Sequence, residues 1–290
     1  MKNRVISVAI SALVLWGAAA IANAADVTAP AAPAIHVAHA GLSKLAWQLA
    51  IPTGTFTDKT VFETIDLLHS LDIHHLELTP GQTLQPGTPA VQVGAAMPAD
   101  AVTTLLAKLK AVHMDIVSYG PVDLGPDDAS ARSVFEFAKK IKAKDIVAAP
   151  PADALDRLDK LTTEFGINLA IQNGADFPAY KMPADLLNAI GSHSIHIGSD
   201  DDLVQWSKAT ADPLAATKQL HGHIVQLRVG DADAPGADSL EPVLAELKTQ
   251  GFKGVITTAC TPGSGAAEVA RFVAAVNALS DGVTKVAGVN

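Results

Sequence analysis

Side chains that transfer protons or bind hydroxyl groups recur where apolar segments of the chain end. Glu77 lies in the segment HHLEL, and Gln172 and Asn173 end the segment INLAIQN. Asp202 and Arg228 lie at the ends of two later segments. Carboxylates serve as general acids and bases, whereas amide and guanidinium groups hydrogen-bond to hydroxyl oxygens. If the fold brings these ends together, they suit proton transfer on a hydroxyl-rich small molecule, or its binding.

Eight apolar, strand-like segments alternate with amphipathic, helix-like segments at spacings of about 25–35 residues. Strands that are apolar throughout and separated by helices are typical of a parallel sheet. Eight such repeats predict an α/β fold, a single (β/α)8 TIM barrel. The predicted strands are KLAWQLAIP (44–52), HHLELTPG (74–81), DIVSYGP (115–121), DIVAAP (145–150), INLAIQN (167–173), SIHIGSD (194–200), HIVQLRVGD (223–231) and KGVITTAC (253–260).

The alternative architecture is an open, doubly wound sheet. A nucleotide-binding sheet of that kind carries a Gly-rich turn after its first strand, whereas this chain has IPTGTFTD there. The barrel is therefore the favoured prediction. After the first strand, we expect Thr57 to cap the following helix, and we interpret the segment WSKATADPLAATKQLHG as a loop and a helix.

A barrel of this type carries its functional side chains at the C-terminal ends of the strands, around one mouth. We predict Glu77 and Asp202 as the acid and base candidates. Eight further residues are predicted to bind a ligand through amide, guanidinium, carboxylate or indole groups: Trp47, Gln48, Gln172, Asn173, Gln205, Trp206, Arg228 and Asp231.

Asp200, Asp201 and Asp202 form a run of acids that resembles a cation site. Successive side chains along a strand point to opposite faces, so the three carboxylates are not expected to converge. Such a run is usually a solvated loop. We predict no metal ligand there. Histidines of the barrel fall at strand starts or helix ends, except His196, which is mid-strand and is expected to be a hydrogen-bonded core residue.

The first 24 residues have the features of a secretory signal peptide. Lys2 and Arg4 precede an apolar run, and Ala22-Asn23-Ala24 is a small-residue cleavage pattern. The alternative is an uncleaved membrane anchor. We predict export to the periplasm or the medium, with a signal peptide over 1–24, an Ala/Pro-rich tether over 25–41, the barrel over 42–280 and a tail over 281–290.

Charge and cysteine content limit the partners of the exported chain. The formal net charge is −9, and it becomes −11 without residues 1–24, which contain two basic residues and no acid. So acidic a chain without a basic patch is not expected to bind nucleic acid, and no later segment is long and apolar enough to span a membrane. Cys260 is the single cysteine and is expected to be a buried, inert thiol.

Several motifs occur in one order along the chain, among them FEFAKKI (135–141), PPADALDRLDKL (150–161), GINLAIQNG (166–174) and GFKGV (251–255). In combination they resemble the sugar phosphate isomerase/epimerase family of xylose-isomerase-like barrels, and in particular its exported members. The resemblance covers about Leu45 to Ala275. It implies the barrel fold, an isomerase or epimerase acting on a sugar, and a divalent metal such as Mn or Mg in the mouth.

The chain departs from the family pattern at most positions that would bind the metal. The family often has Glu-Pro-Pro where this chain has Ala149-Pro150-Pro151, and a liganding Glu or His where it has Gln172. Gln205 and Arg228 occupy two further positions where the family has His, and Ala259 occupies one where it has Glu. We therefore predict no metal cofactor.

A buried ion pair is one consequence of these replacements. Asp202 matches the family motif, and we hypothesise that it pairs with Arg228 at the former metal position, since carboxylate and guanidinium form bidentate pairs. The alternative is that Arg228 turns outward to Asp231 or Glu241 on the rim.

Three functions are compatible with the sequence. The first is an exported barrel with a degraded metal site, catalytically altered or not catalytic, that binds a sugar, a polyol or a similar polar ligand. The second is an active sugar isomerase or epimerase with a rearranged metal site. The third is a partner-binding protein of the periplasm without catalysis.

Overall fold

Eight short strands form the centre of the molecule in the computed structural model, which describes residues 40–87, 90–230, 236–258, 263 and 265–285. The strands are β1 (Gln48–Pro52), β2 (His75–Leu78), β3 (Asp115–Tyr119), β4 (Asp145–Ala148), β5 (Asn168–Gln172), β6 (Ile197–Asp202), β7 (Ile224–Val229) and β8 (Val255–Thr258).

Each strand pairs in parallel with the next, and β8 pairs with β1, so the sheet is a closed barrel. The predicted (β/α)8 barrel is confirmed, and the open-sheet alternative is wrong. The helices of the described residues surround it: α1 (Ala40–Leu45), α2 (Val61–Ser70), α3 (Ala99–Ala111), α4 (Asp128–Lys140), α5 (Leu155–Phe165), α6 (Pro183–Ile190), α7 (Leu203–Lys208), α8 (Pro213–Gln219), α9 (Leu240–Gln250) and α10 (Ala266–Lys285).

Apolar side chains fill two separate regions. One large cluster packs between the strands and the helices and includes Ile51, Leu76 and Ile256, each fully buried. A second, small cluster of Ala50, Val117 and Val255 lies on the other face of the strands, inside the barrel. Because alternate residues of a strand face opposite sides, apolar residues on both faces produce the continuous apolar segments that predicted a parallel sheet.

Several local predictions need correction. The N-cap of α2 is Thr60, not Thr57: its side chain accepts a hydrogen bond from the Glu63 amide, and the Glu63 carboxylate accepts one from the Thr60 backbone N–H. This reciprocal capping box satisfies two backbone donors. The segment WSKATADPLAATKQLHG, predicted as a loop and a helix, begins inside an additional helix, α7, and the loop is only residues 209–212 before α8.

The described helices also extend beyond two predicted boundaries. α1 begins at Ala40, inside the segment assigned to the tether, and α10 continues to Lys285, five residues beyond the predicted barrel boundary at 280. Among the helices of the described residues, none combines the length and the apolar character needed to cross a membrane.

Candidate functional site

A buried guanidinium joins three strands near the mouth of the barrel. Arg228 on β7 donates from Nε to Asp200 Oδ2 on β6 at 2.9 Å. Its Nη2 donates to both carboxylate oxygens of Glu77 on β2, each at 3.0 Å. Glu77 and Asp200 are completely buried and Arg228 is 7% exposed. The pairing is therefore made largely out of water, where hydrogen bonds between charged groups are strong.

Gln226 links the same two carboxylates from a position one layer deeper in the barrel. Its Nε2 donates to Glu77 Oε2 at 2.9 Å and to Asp200 Oδ1 at 3.2 Å. Both partners are acceptors, so the amide nitrogen must face them, and this settles the orientation of the amide. Ser118 adds a hydrogen bond from its hydroxyl to Glu77 Oε2 at 2.9 Å. We call Glu77, Asp200, Gln226 and Arg228 the Arg228 cluster.

The Arg228 cluster contains more negative than positive formal charge. Burial raises the pKa of the Asp200 carboxyl to about 7; Arg228 opposes this shift, while the charges of Glu77 and Asp202 add to it. Two carboxylates share one guanidinium, so protonation of Asp200 removes an excess charge from a poorly solvated region.

Asp202 lies at the rim, and it does not pair with Arg228 as hypothesised. Its Oδ1 accepts hydrogen bonds from the backbone amides of Val204 at 2.9 Å and Gln205 at 3.1 Å, so it caps α7. The side chain of Asn173 bonds to both the backbone N–H and the C=O of Asp202. Burial raises the pKa of Asp202, and Arg228 opposes that shift.

The hypothesised Asp202–Arg228 pair is wrong because strand register does not fix side-chain direction. Asp202 and Arg228 are direct partners in the β6–β7 ladder, but the guanidinium turns inward to the deeper carboxylates. The alternative of an outward turn to Glu241 is also wrong, because the guanidinium binds Asp200 and Glu77 in the interior. Asp231, the other outward partner considered, lies outside the described residues, as do Ala259 and Cys260.

Asp201 points away from the barrel interior, as strand alternation predicts. It accepts hydrogen bonds from the Trp206 indole and, at 2.9 Å, from the Thr217 hydroxyl on α8. Trp206 is fully buried there, so its predicted position facing a ligand is wrong. The expectation of a solvated acidic loop is also wrong, since Asp200 and Asp201 are fully buried in β6.

Two other predicted mouth residues lie at the opposite end of the barrel. Trp47 precedes β1 and donates from its indole to the carbonyl of Phe252 at 2.8 Å, and Gln48 begins β1. Lys144 Nζ donates to Gln48 Oε1 at 3.4 Å across that end. The placement at the mouth is wrong because the apolar segment continues to Pro52, where β1 ends.

Gln172 and Gln205 are placed at the mouth as predicted. Gln172 is the last residue of β5, Gln205 lies in the first turn of α7, and both are half-buried. The sequence analysis did not identify Gln226. Strand alternation contains the signal for it, because a residue two positions before an inward Arg228 faces the interior as well.

The described residues of the mouth do not fit a divalent metal. Such an ion needs several carboxylate or imidazole ligands that converge on one point. Among the described residues, no group of three or more His, Cys, Asp or Glu side chains is arranged to hold one. The carboxylates of Glu77 and Asp200 are instead directed at the Arg228 guanidinium and are not open to an ion as ligands.

Comparison with known proteins supports the fold. A scan against models of protein families and a search of curated proteins each find no match. Solved structures do match. An uncharacterized protein from Parabacteroides distasonis is 22% identical, with a TM-score of 0.65, and the match covers 84% of this chain and 100% of that chain.

Two further matches carry more informative descriptions. A sugar phosphate isomerase/epimerase from Parabacteroides distasonis has a TM-score of 0.60 at 9% identity, covering 80% of this chain and 94% of its own. A xylose isomerase-like TIM barrel protein from Mycobacterium smegmatis, in complex with magnesium, has a TM-score of 0.62 at 12% identity. The match covers 82% of this chain and 97% of that chain. The structural neighbours are thus xylose-isomerase-like barrels, and the resemblance seen in the sequence is confirmed at the level of the fold.

Replacing the guanidinium tests how strongly the cluster holds the barrel together. Arg228→Met leaves Glu77 and Asp200 buried and unpaired, so we expect the free energy of unfolding to fall by about 3–5 kcal/mol. Urea unfolding at pH 7.5 measures it. The triple variant with Glu77→Gln, Asp200→Asn and Arg228→Met removes all three charges and should recover most of the loss. A loss below about 1 kcal/mol in the single variant would contradict a desolvated pair.

The buried carboxyls predict that the protein is more stable in mild acid than at neutral pH. Burial raises the pKa of Asp145 and of Asp201 to about 6 each, and that of Asp200 to about 7, from 3.8. Between pH 3.8 and these raised pKa values, the folded state therefore binds more protons than the unfolded state. The stabilisation is complete below about pH 4 and is lost as the pH rises through 6–7. The free energy of unfolding falls by at most about 1.4 kcal/mol per pH unit for each group.

Thermal unfolding at intervals from pH 5 to pH 8 measures this dependence, and the midpoint should fall as the pH rises. Asp201→Asn is the control, because the side chain can no longer ionise and lies outside the barrel mouth; its midpoint should depend less on pH. A midpoint that rises over this range would contradict the direction of the shifts.

Proposed function

We propose that this protein is an exported barrel that binds a hydroxyl-rich small molecule, such as a sugar or a polyol, at the C-terminal ends of its strands, and that it needs no divalent metal to do so. The observation that carries the proposal is the guanidinium of Arg228, held by Glu77 and Asp200 in the barrel. It supplies a fixed positive charge in a mouth whose described residues do not fit a metal.

The rim of the mouth supports binding of hydroxyl groups. Gln172 and Gln205 are half-buried amides, each with two donors and an acceptor. Asp202 adds a carboxylate that Asn173 and the start of α7 hold in place. Several fixed polar groups around one opening provide the directional contacts by which proteins recognise small polar ligands.

Binding is favoured over isomerisation because the acid and base candidates are already engaged. Glu77 is completely buried, and its Oε2 accepts hydrogen bonds from Ser118, Gln226 and Arg228. This oxygen is therefore already occupied by three donors of the protein itself. Asp202 Oδ1 is committed to two backbone amides of α7. Neither carboxylate has the freedom that proton transfer between adjacent carbons requires.

A thermal-shift screen with pentoses, hexoses and hexitols tests the proposal, with EDTA and with added Mn²⁺. At least one compound should raise the midpoint, by an amount equivalent to about 2.7 kcal/mol at 100 times its Kd. The shift should be the same with EDTA as with Mn²⁺. Loss of the shift in EDTA would favour an active isomerase with a rearranged metal site, and no shift with any compound would favour a partner-binding role.

Matched variants locate the binding. Gln172→Ala combined with Gln205→Ala removes two amides from the mouth and should weaken binding about tenfold or more, since each lost hydrogen bond contributes about 1 kcal/mol. Gln219→Ala makes the same change at an exposed position at the end of α8 and should leave binding unchanged. Equal effects in the two variants would place the ligand elsewhere.

Export rests on the amino-terminal sequence. Lys2 and Arg4 before an apolar run, followed by the Ala22-Asn23-Ala24 cleavage pattern, are what signal peptidase substrates share. When the full chain is expressed in a Gram-negative bacterium, the periplasmic fraction should contain a protein that begins at Ala25, as measured by intact mass. Leu13→Arg places a charge in the apolar run and should retain the precursor in the cytoplasm. A full-length protein that sediments with membranes would show an uncleaved anchor instead.

A further inference from the structure

Two completely buried oxygen atoms at the Arg228 cluster have no hydrogen-bond partner among the described residues. They are Gln226 Oε1 and Thr257 Oγ1. A buried polar atom without a partner costs about 1–3 kcal/mol, so such atoms are rare and point to a group that satisfies them. Because the two carboxylates fix the Gln226 nitrogen, its oxygen can act only as an acceptor.

Both residues lie on the interior face of the barrel, on the strand of Arg228 and on the next one. Thr257 is the register partner of Arg228 in the β7–β8 ladder. It follows Val255 by two residues, and Val255 belongs to the apolar cluster inside the barrel, so alternation directs Thr257 to the same side. The oxygens thus adjoin the cluster from β7 and from β8.

The formal charges around these oxygens do not balance. Glu77, Asp200 and Asp202 provide three carboxylates, and Arg228 provides one guanidinium. Lys208, at the exposed end of α7, contributes weakly to Asp202. A phosphate or a carboxylate brought into this mouth would meet more negative than positive charge, whereas a cation would reduce the imbalance.

We propose that the mouth selects a ligand that carries a protonated amine next to hydroxyl groups, an amino sugar or an amino polyol, and that it discriminates against sugar phosphates and sugar acids. This inference rests on the function proposed above and names the chemistry of its ligand. An ammonium group has three donors and no acceptor, which matches unpartnered acceptor oxygens in a negatively charged site.

The proposal predicts that binding of the amine releases a proton. Asp200 is surrounded by Glu77 on β2, Asp202 on its own strand, and Gln226 and Arg228 on β7. A bound cation favours the ionised form of this carboxyl. The affinity for an amine should therefore increase as the pH rises from 6 to 8, whereas the affinity for a neutral polyol should change little.

Four compounds with one six-carbon framework test the selectivity. They are glucamine, sorbitol, gluconate and sorbitol 6-phosphate, which differ in the charge of a terminal group; the alkylamine of glucamine keeps its proton up to pH 8. Isothermal titration calorimetry of the purified protein should show glucamine binding about five- to tenfold more tightly than sorbitol, and both anions more weakly than sorbitol. Titration in buffers of different ionisation enthalpy measures the released proton.

Two substitutions at helix N-caps form a matched pair. Asp202→Asn removes a charge from the mouth but keeps a good capping side chain, and it should reduce the preference for glucamine over sorbitol by a factor of about three or more. Asp212→Asn makes the same change at the cap of α8, where Asp212 is exposed and accepts from the Ala215 amide. It should leave the preference unchanged. Equal effects of the two would overturn the proposal.

Thr257→Val tests the unpartnered hydroxyl directly, because the two side chains have nearly the same shape. We expect the ligand-free protein to be at least as stable as before, and the affinity for glucamine to fall severalfold. Unchanged glucamine affinity would overturn the role of Thr257.

The titrations separate this inference from the function on which it rests. Equal affinity for glucamine and sorbitol, or tighter binding of either anion, would overturn the amine preference and leave a polyol-binding mouth. No binding of any of the four compounds up to about 10 mM would overturn the amine preference, and the proposed function itself would fail only if the screen with pentoses, hexoses and hexitols also gave no shift.

Discussion

Arg228 is a constraint on the whole barrel as well as on its mouth. In the closed order of the strands, β2 and β6 are separated by three strands on either side and therefore lie opposite each other. The guanidinium on β7 bonds to Asp200 on the neighbouring strand and reaches across the interior to Glu77 on β2. Its planar, branched donors suit such a link better than the single ammonium of a lysine. The large apolar cluster outside the strands stabilises the fold, whereas this link fixes how opposite walls of the interior approach one another.

The fold could be predicted from the sequence because it depends on repeated local patterns. Each strand is an apolar segment and each helix has an amphipathic pattern, and eight repeats leave few ways to bury both faces of the strands. The positions at which the strands begin and end were harder to predict. Trp47 and Gln48 were assigned to the mouth although they lie in the first half of the predicted strand, and the structure has them just before and at the start of β1, which ends at Pro52. A shift of a few residues at one strand moves its side chains from one end of the barrel to the other.

The site was less predictable because it depends on side-chain direction at long range. Asp200, Asp201 and Asp202 look equivalent in the sequence, yet one binds Arg228, one binds Trp206 and Thr217 outside the barrel, and one caps α7. Strand alternation separates the middle residue from its neighbours. It cannot decide which inward carboxylate the guanidinium will reach, because that choice depends on Glu77, which lies 151 residues away from Arg228.

A guanidinium in this position gives the mouth different properties from those of a metal ion. An ion can be removed by chelation and exchanges ligands, and it can polarise a substrate oxygen from an open coordination position. A guanidinium is covalently attached, offers only hydrogen-bond donors, and here most of these are already used by Glu77 and Asp200. What remains adjustable is the proton on Asp200, since burial brings its pKa to about 7. The barrel is similar in fold to that of a magnesium-bound neighbour, whereas the charge balance among three carboxylates and one arginine sets the electrostatic character of this mouth.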